Sequence, residues 1–204
     1  MTEYKKNNLF LAGLEESSQL KNKIVKSDSL NVLAEMGDEI IEVIKQGGKL
    51  LICGNGGSAA DAQHLAAELL VRLRPTYNRE AIPALSLCQD ISTITACGND
   101  FGYEKLFERT LRGLGRTGDV LLGITTSGNS ENINIAFEAA RDMDIKTFGF
   151  LGSSGGRAID LCDKYYLVPS NKTARIQEVH ITIGHSLMEY IEDGLLADKY
   201  ISLS

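Results

Sequence analysis

From residue 49 onward the chain alternates short apolar runs with longer amphipathic ones. "KLLIC" gives way to a helical pattern from about Ser58, and "AIPALSL" to "TITACGNDFGYEKLFERTLRGL". "DVLLGIT" is followed by "ENINIAFEAARDM", "IKTFGFLG" by "GRAIDLC", and "KYYLVP" by a helix expected from about Thr173 to Asp193. Short runs that are apolar at nearly every position read as strands buried on both faces. Strands alternating with helices make β-α-β units, hence a parallel sheet covered on both sides. The fold class is therefore α/β. Upstream, "SLNVLAEMGDEIIEVIKQ" repeats Leu30, Leu33, Met36, Ile40 and Ile44 at helical spacing and stops at Gly47. The chain shows no internal repeat, low-complexity tract or linker, so one compact unit is expected.

In such sheets ligands bind at the loops that leave the carboxyl ends of the strands. Two of these loops are unusual: "GNGGS" at 54 to 58 and "TTSGNS" at 125 to 130. Both place small hydrogen-bonding residues just ahead of a helix, where free N–H groups and the helix dipole favour an anion such as phosphate. Gly54, Gly56 and Ala59 also fit a dinucleotide fingerprint, which requires an acidic residue about 20 positions on, at the end of the next strand. Glu80 precedes that strand and Asp90 lies beyond the distance. A tight turn with Ser58 capping the helix accounts equally well for the first loop. The second loop holds Thr125, Thr126, Ser127 and Ser130, more hydroxyls than one cap needs, which favours an oxyanion cradle.

The chain has three histidines. His64 and Glu68 share one helical stripe; Gln177 and His185 share a broad face of the last helix, and His180 points about 140° away from His185 at ~100° per residue. His180 is assigned a structural role. Two imidazoles, a carboxylate and an amide oxygen can close a four-coordinate zinc site, or place an acid and a base around a substrate. Spacing alone does not show that the two helices meet.

Composition narrows the partners. With 204 residues and a net charge of −6, the chain is large enough to bury a core without a metal or disulfide, and too acidic to favour nucleic acid or an anionic membrane. Its four cysteines form no C-x-x-C pair. No run approaches ~18 apolar residues and the N-terminus carries no cleavage signal, so a cytoplasmic protein is expected.

The segments "GNGGSAADAQHLAAEL", "ACGNDFGYEKLF", "TTSGNSENI" and "RIQEVHITIGH" together resemble the sugar isomerase (SIS) domain family, and within it the phosphoheptose isomerases. The similarity runs in order from about Ile40 to Glu192. It implies a flavodoxin-like three-layer sandwich with a five-stranded parallel sheet between helices, in a homotetramer that the helices of residues 1 to 45 help to build. The implied activity interconverts sedoheptulose 7-phosphate and a manno-heptose 7-phosphate, the first step towards a nucleotide-activated heptose. By motif, Asn55, Gly56, Gly57 and Ser58 fall in the sugar-phosphate site, Thr125, Thr126, Ser127 and Ser130 cradle the phosphate, and Asn99 and Asp100 lie near the sugar chain. Glu68 and His185 take the positions of catalytic base and acid, with Gln177 also contacting substrate. His64, Glu68, Gln177 and His185 match the set that binds one zinc in some members.

Two positions depart from relatives: Thr125 stands where several have serine, and Ala174 where some have aspartate. The second leaves another sugar phosphate open as substrate. Family members that act as scaffolds for the replication initiator resemble this chain around "AADAQH" but lack a carboxylate at the position of Glu68, and its presence here favours an enzyme.

Overall fold

The computed structural model describes residues 3–88 and 90–203, with side chains from residue 8 onward. Five strands, β1 (Leu50–Gly54), β2 (Ala84–Ser86), β3 (Val120–Thr125), β4 (Lys146–Gly152) and β5 (Lys164–Val168), form one sheet in the order β2-β1-β3-β4-β5. Every neighbouring pair is parallel. Each residue of β1 and β3 is buried, as the unbroken apolar runs require.

Among the described residues seven helices cover the sheet: α1 (Glu3–Val25), α2 (Asn31–Lys45), α3 (Gly57–Ala67), α4 (Ile91–Asp100), α5 (Leu106–Leu114), α6 (Glu131–Asp142) and α7 (Thr173–Ala197). One layer holds α2, α3 and α7, with α1 against α7; the other is built on α5 and α6. Met36, Ile40 and Ile44 of α2 join Phe148, Phe150 and Tyr166 among the fully buried side chains. Each such side chain stabilises the fold by roughly 1.5–3 kcal/mol relative to exposure. Cys53, Cys88 and Cys97 are buried and Cys162 half-buried, all as free thiols. Burial pushes the Cys162 thiol up to about 12 and raises those of Cys53 and Cys88.

Three local readings need correction. The amphipathic stretch of residues 93 to 114, expected to be helical, is broken: α4 ends at Asp100, the chain turns at Gly102 with φ +89°, and a 3-10 turn Tyr103–Lys105 leads into α5. A side chain at Gly102 would be strained, so the helical periodicity on either side cannot run through it. "GRAIDLC" forms a 3-10 turn, Gly156–Asp160, instead of a full helix. The last helix continues past Asp193 to Ala197, because Leu195 still packs into the core.

The sheet order places β1 and β3 side by side while their chains leave in opposite directions, to α3 in one layer and α6 in the other. This is the switch point at which a parallel sheet opens a crevice beyond its carboxyl edge. Among the described residues no helix is long and apolar enough to cross a membrane.

Candidate active site

Both unusual loops lie at that switch point. In the first, Gly56 adopts φ +57° and precedes α3, whose first turn closes through Ser58 N–H to the Asn55 carbonyl at 3.0 Å. The expected Ser58 cap is not made: α3 has no side-chain cap, and Ser58 is buried beneath the turn. In the second loop the buried Thr125 hydroxyl lies 3.0 Å from the Ser130 hydroxyl and accepts from Gly128 N–H at 3.2 Å. Ser130 stands at the N-cap of α6 but makes no side-chain cap bond, its hydroxyl being turned to Thr125. Ser127 is exposed and Thr126 half-buried at the outer rim of the loop.

The loops are tied together by amides. Asn55 donates to Asn132 Oδ1 at 2.8 Å, and Asn132 donates back to Asn55 Oδ1 at 2.9 Å. The same Asn55 oxygen accepts from the Tyr103 hydroxyl at 2.7 Å. The Asn55 side chain therefore fixes the spacing of the two loops. Asn99 and Asp100 are exposed at the end of α4 and hydrogen-bond to each other at 2.7 Å, so from this segment it is Tyr103 that reaches the first loop.

On the layer of α3 and α7 the two helices run parallel. A Cβ on Gly57 would stand 2.9 Å from Gln177 Nε2, and one on Gly184 would stand 2.7 Å from Leu65 Cδ1. The absence of a side chain at Gly184 is what lets the helices approach. Two turns beyond the loop this pairing brings His64 and His185 together, Nε2 to Nε2 at 2.8 Å, with Glu68 Oε1 3.3 Å from His64 Nε2. The three candidate ligand atoms all lie within 4.8 Å of one another. Two imidazole nitrogens and a carboxylate oxygen converging on one point form the donor set zinc takes, and in a tetrahedral site such atoms stand about 3.3 Å apart. The residues fit the metal. Gln177 occupies the same side of α7 nearer the loop, with its amide against Gly57.

His180, by contrast, is fully buried, stacked on Phe150, with Nε2 3.2 Å from the Leu151 carbonyl. Burial lowers its pKa to about 4, against the raising effect of that hydrogen bond. It packs in the core against β4, apart from His64 and His185.

Sequence reasoning missed three participants. Asp61 lies one turn ahead of His64; burial raises its carboxyl while the nearby His64 and His185 lower it. Its i, i+3 spacing to His64 was a visible signal. Asn132 and Tyr103 carried none, since their partner Asn55 is 77 and 48 residues away.

Two loops rich in glycine and hydroxyl residues at the switch point of a parallel sheet, beside a carboxylate and two imidazoles, make up the candidate site. The SIS domain matches residues 14–152. A phosphoheptose isomerase from Paramagnetospirillum magneticum is 56% identical over 152 residues, covering 74% of this chain and 78% of that protein. One from Clostridium acetobutylicum is 44% identical, covering 94% and 97%. Among solved structures, the phosphoheptose isomerase from Francisella tularensis superimposes with a TM-score of 0.86 at 37% identity over 95% of this chain and all (100%) of that one. The corresponding enzyme from Neisseria gonorrhoeae gives 0.85 at 37%, covering 92% and 98%. The chain belongs to the SIS domain family, among its phosphoheptose isomerases, and is a sugar-phosphate isomerase.

Proposed function

We propose that the chain interconverts D-sedoheptulose 7-phosphate and D-glycero-D-manno-heptose 7-phosphate through an enediol, supplying a nucleotide-activated heptose pathway. The observation that carries this reading is the meeting of His64, Glu68 and His185 beside two loops suited to a phosphate. The loops at 54 to 58 and 125 to 130 receive the dianionic end of the sugar, and that remote binding energy orients the carbonyl end. Glu68 takes the proton from the carbon next to the carbonyl and returns it to the neighbouring carbon. His185 exchanges protons with the two oxygens, so that the carbonyl and hydroxyl trade places. The substrate's length separates its phosphate from its reacting carbons, which suits a phosphate site at the start of α3 and an acid-base pair beside its far end.

His64, Glu68, Gln177 and His185 would hold a zinc ion, which when bound polarises the substrate carbonyl. The reading also includes a homotetramer. Leu9, Phe10, Leu11 and Leu14 of α1 are all more than half exposed, an apolar surface that suits burial between subunits.

Incubation of the purified protein with sedoheptulose 7-phosphate in heavy water tests the reaction. Aldose carrying deuterium at the carbon beside the carbonyl is expected. No conversion, with or without added zinc, would overturn the reading. Light scattering measures the assembly and elemental analysis the metal content, with four chains and one zinc per chain expected.

A further inference from the structure

Helix α3 does not end regularly at Ala67: the chain continues as a π-turn, Glu68–Arg72, that begins on Glu68 itself. Such wide turns are rare and pair each carbonyl with the N–H five residues on instead of four. Arg79, whose side chain is wholly buried, adds donors to the carbonyls of this turn, of which Leu69 O also accepts from Ile82 N–H at 3.1 Å. Its Nη2 donates to the Glu68 carbonyl at 2.9 Å, and its Nη1 to the carbonyls of Leu69 at 2.8 Å and Glu80 at 2.9 Å. The remaining side of the fork, Nε, donates to Glu192 Oε1 at 2.6 Å. Glu192 is equally buried, and its other oxygen accepts from Arg74 Nε at 2.6 Å.

Glu192 lies seven residues beyond His185 on α7, so both project from nearly the same side of that helix. The guanidinium therefore spans from the helix that carries His185 to the backbone of Glu68. A buried ion pair adds little net stability over apolar packing, because desolvation cancels most of the attraction. What the fork supplies is direction: four acceptors held by one rigid plane.

We propose that Arg79, anchored by Glu192, is a positioning residue that sets the backbone of Glu68 and so aims its carboxylate at the reacting carbon between Glu68 and His185. The inference rests on the isomerase reading above for the role of Glu68, while the strut itself is a separate structural claim. A lysine at position 79 can meet Glu192 but cannot at the same time reach the two turn carbonyls from a single nitrogen. Misplacement of a reacting group by about 1 Å can cost on the order of 100-fold in rate.

The test compares the full-length protein with Arg79→Lys by steady-state kinetics on sedoheptulose 7-phosphate and by hydrogen exchange of the peptide spanning residues 64 to 73. Expected are a fall in kcat of about 10- to 100-fold with KM within about threefold, and faster exchange in that peptide alone. A folded Arg79→Lys protein with kcat within twofold of the parent, or with unchanged exchange in the peptide, overturns the proposal. Should that variant not fold, Glu192→Gln keeps the shape but leaves one acceptor oxygen where Arg79 and Arg74 each had their own, which weakens the anchor. It is read by the same two measurements, with the same outcomes for and against. If the parent protein does not isomerise the sugar, the isomerase reading has failed, and the exchange measurement still decides whether Arg79 holds the turn.

Discussion

The Nε2 atoms of His64 and His185 face each other at 2.8 Å across a sequence separation of 121 residues. Two ring nitrogens at that distance share a hydrogen bond, one imidazole donating and the other accepting, and the Glu68 carboxylate stands 3.3 Å from His64 Nε2. Geometry of this kind ties each of the two residues to a distinct loss when it is changed.

Glu68→Gln and His185→Gln each remove a proton-transfer group while keeping its shape. Turnover is expected to fall by about 100- to 10,000-fold in each, with the circular dichroism spectrum and oligomer size unchanged. Full activity in either variant would refute the role given to that residue.

Gly57→Ala separates site from fold. The added methyl would lie 2.9 Å from Gln177 Nε2 and displace that amide, while alanine is the better helix former by up to about 1 kcal/mol. The expected result is an unchanged or slightly raised Tm with a several-fold higher KM or weakened zinc binding. Calorimetry and kinetics on the same preparation check it, and an unaltered KM with unaltered metal content would remove Gln177 from the site.

Asn132→Leu breaks the reciprocal amide pair with Asn55 and leaves a part-buried polar group short of partners. A cost of about 1–3 kcal/mol follows, and with it a drop in Tm of about 3–10 °C. Because the pair spaces the two loops, KM for the sugar phosphate should rise more than kcat falls. Tyr103→Phe, which removes only the third hydrogen bond to Asn55, should act in the same direction and more weakly.

His180 makes stability depend on pH. Its pKa is lowered from 6.5 to about 4 in the folded protein, so the unfolded chain binds the proton first as the solution is acidified. The contribution is fully present above pH 6.5, is lost as pH falls towards about 4, and amounts to about 3 kcal/mol across that window. Urea unfolding at several pH values should show this slope, and His180→Leu should flatten it. An identical slope in the variant would rule out His180 as its source.

The α/β pattern was readable because burial on both faces leaves a plain mark: β1 and β3 are apolar at nearly every position and buried throughout. Both loops were readable as turns leading into helices, since glycine and hydroxyl residues cluster where a strand hands over to a helix N-terminus. The break at Gly102 was harder, because apolar spacing on both sides of it suits a helix and only the left-handed backbone at that residue interrupts it. The π-turn at Glu68 left no trace in composition: "ELLVR" is an ordinary helical sequence, and the Arg79 side chain that donates to its carbonyls lies seven positions beyond its end.

By itself, then, the sequence determined the class of fold, the two loops, and which polar residues share a helix face, because strand and helix periodicities arise within a few residues. Only the tertiary structure decided that α3 and α7 run side by side, that Asn55 is locked to Asn132, and that Arg79 reaches the backbone of Glu68. Those facts depend on where two distant segments settle on the sheet. A missing side chain at Gly184 and the order of the strands set that, and neither leaves a local pattern along the chain.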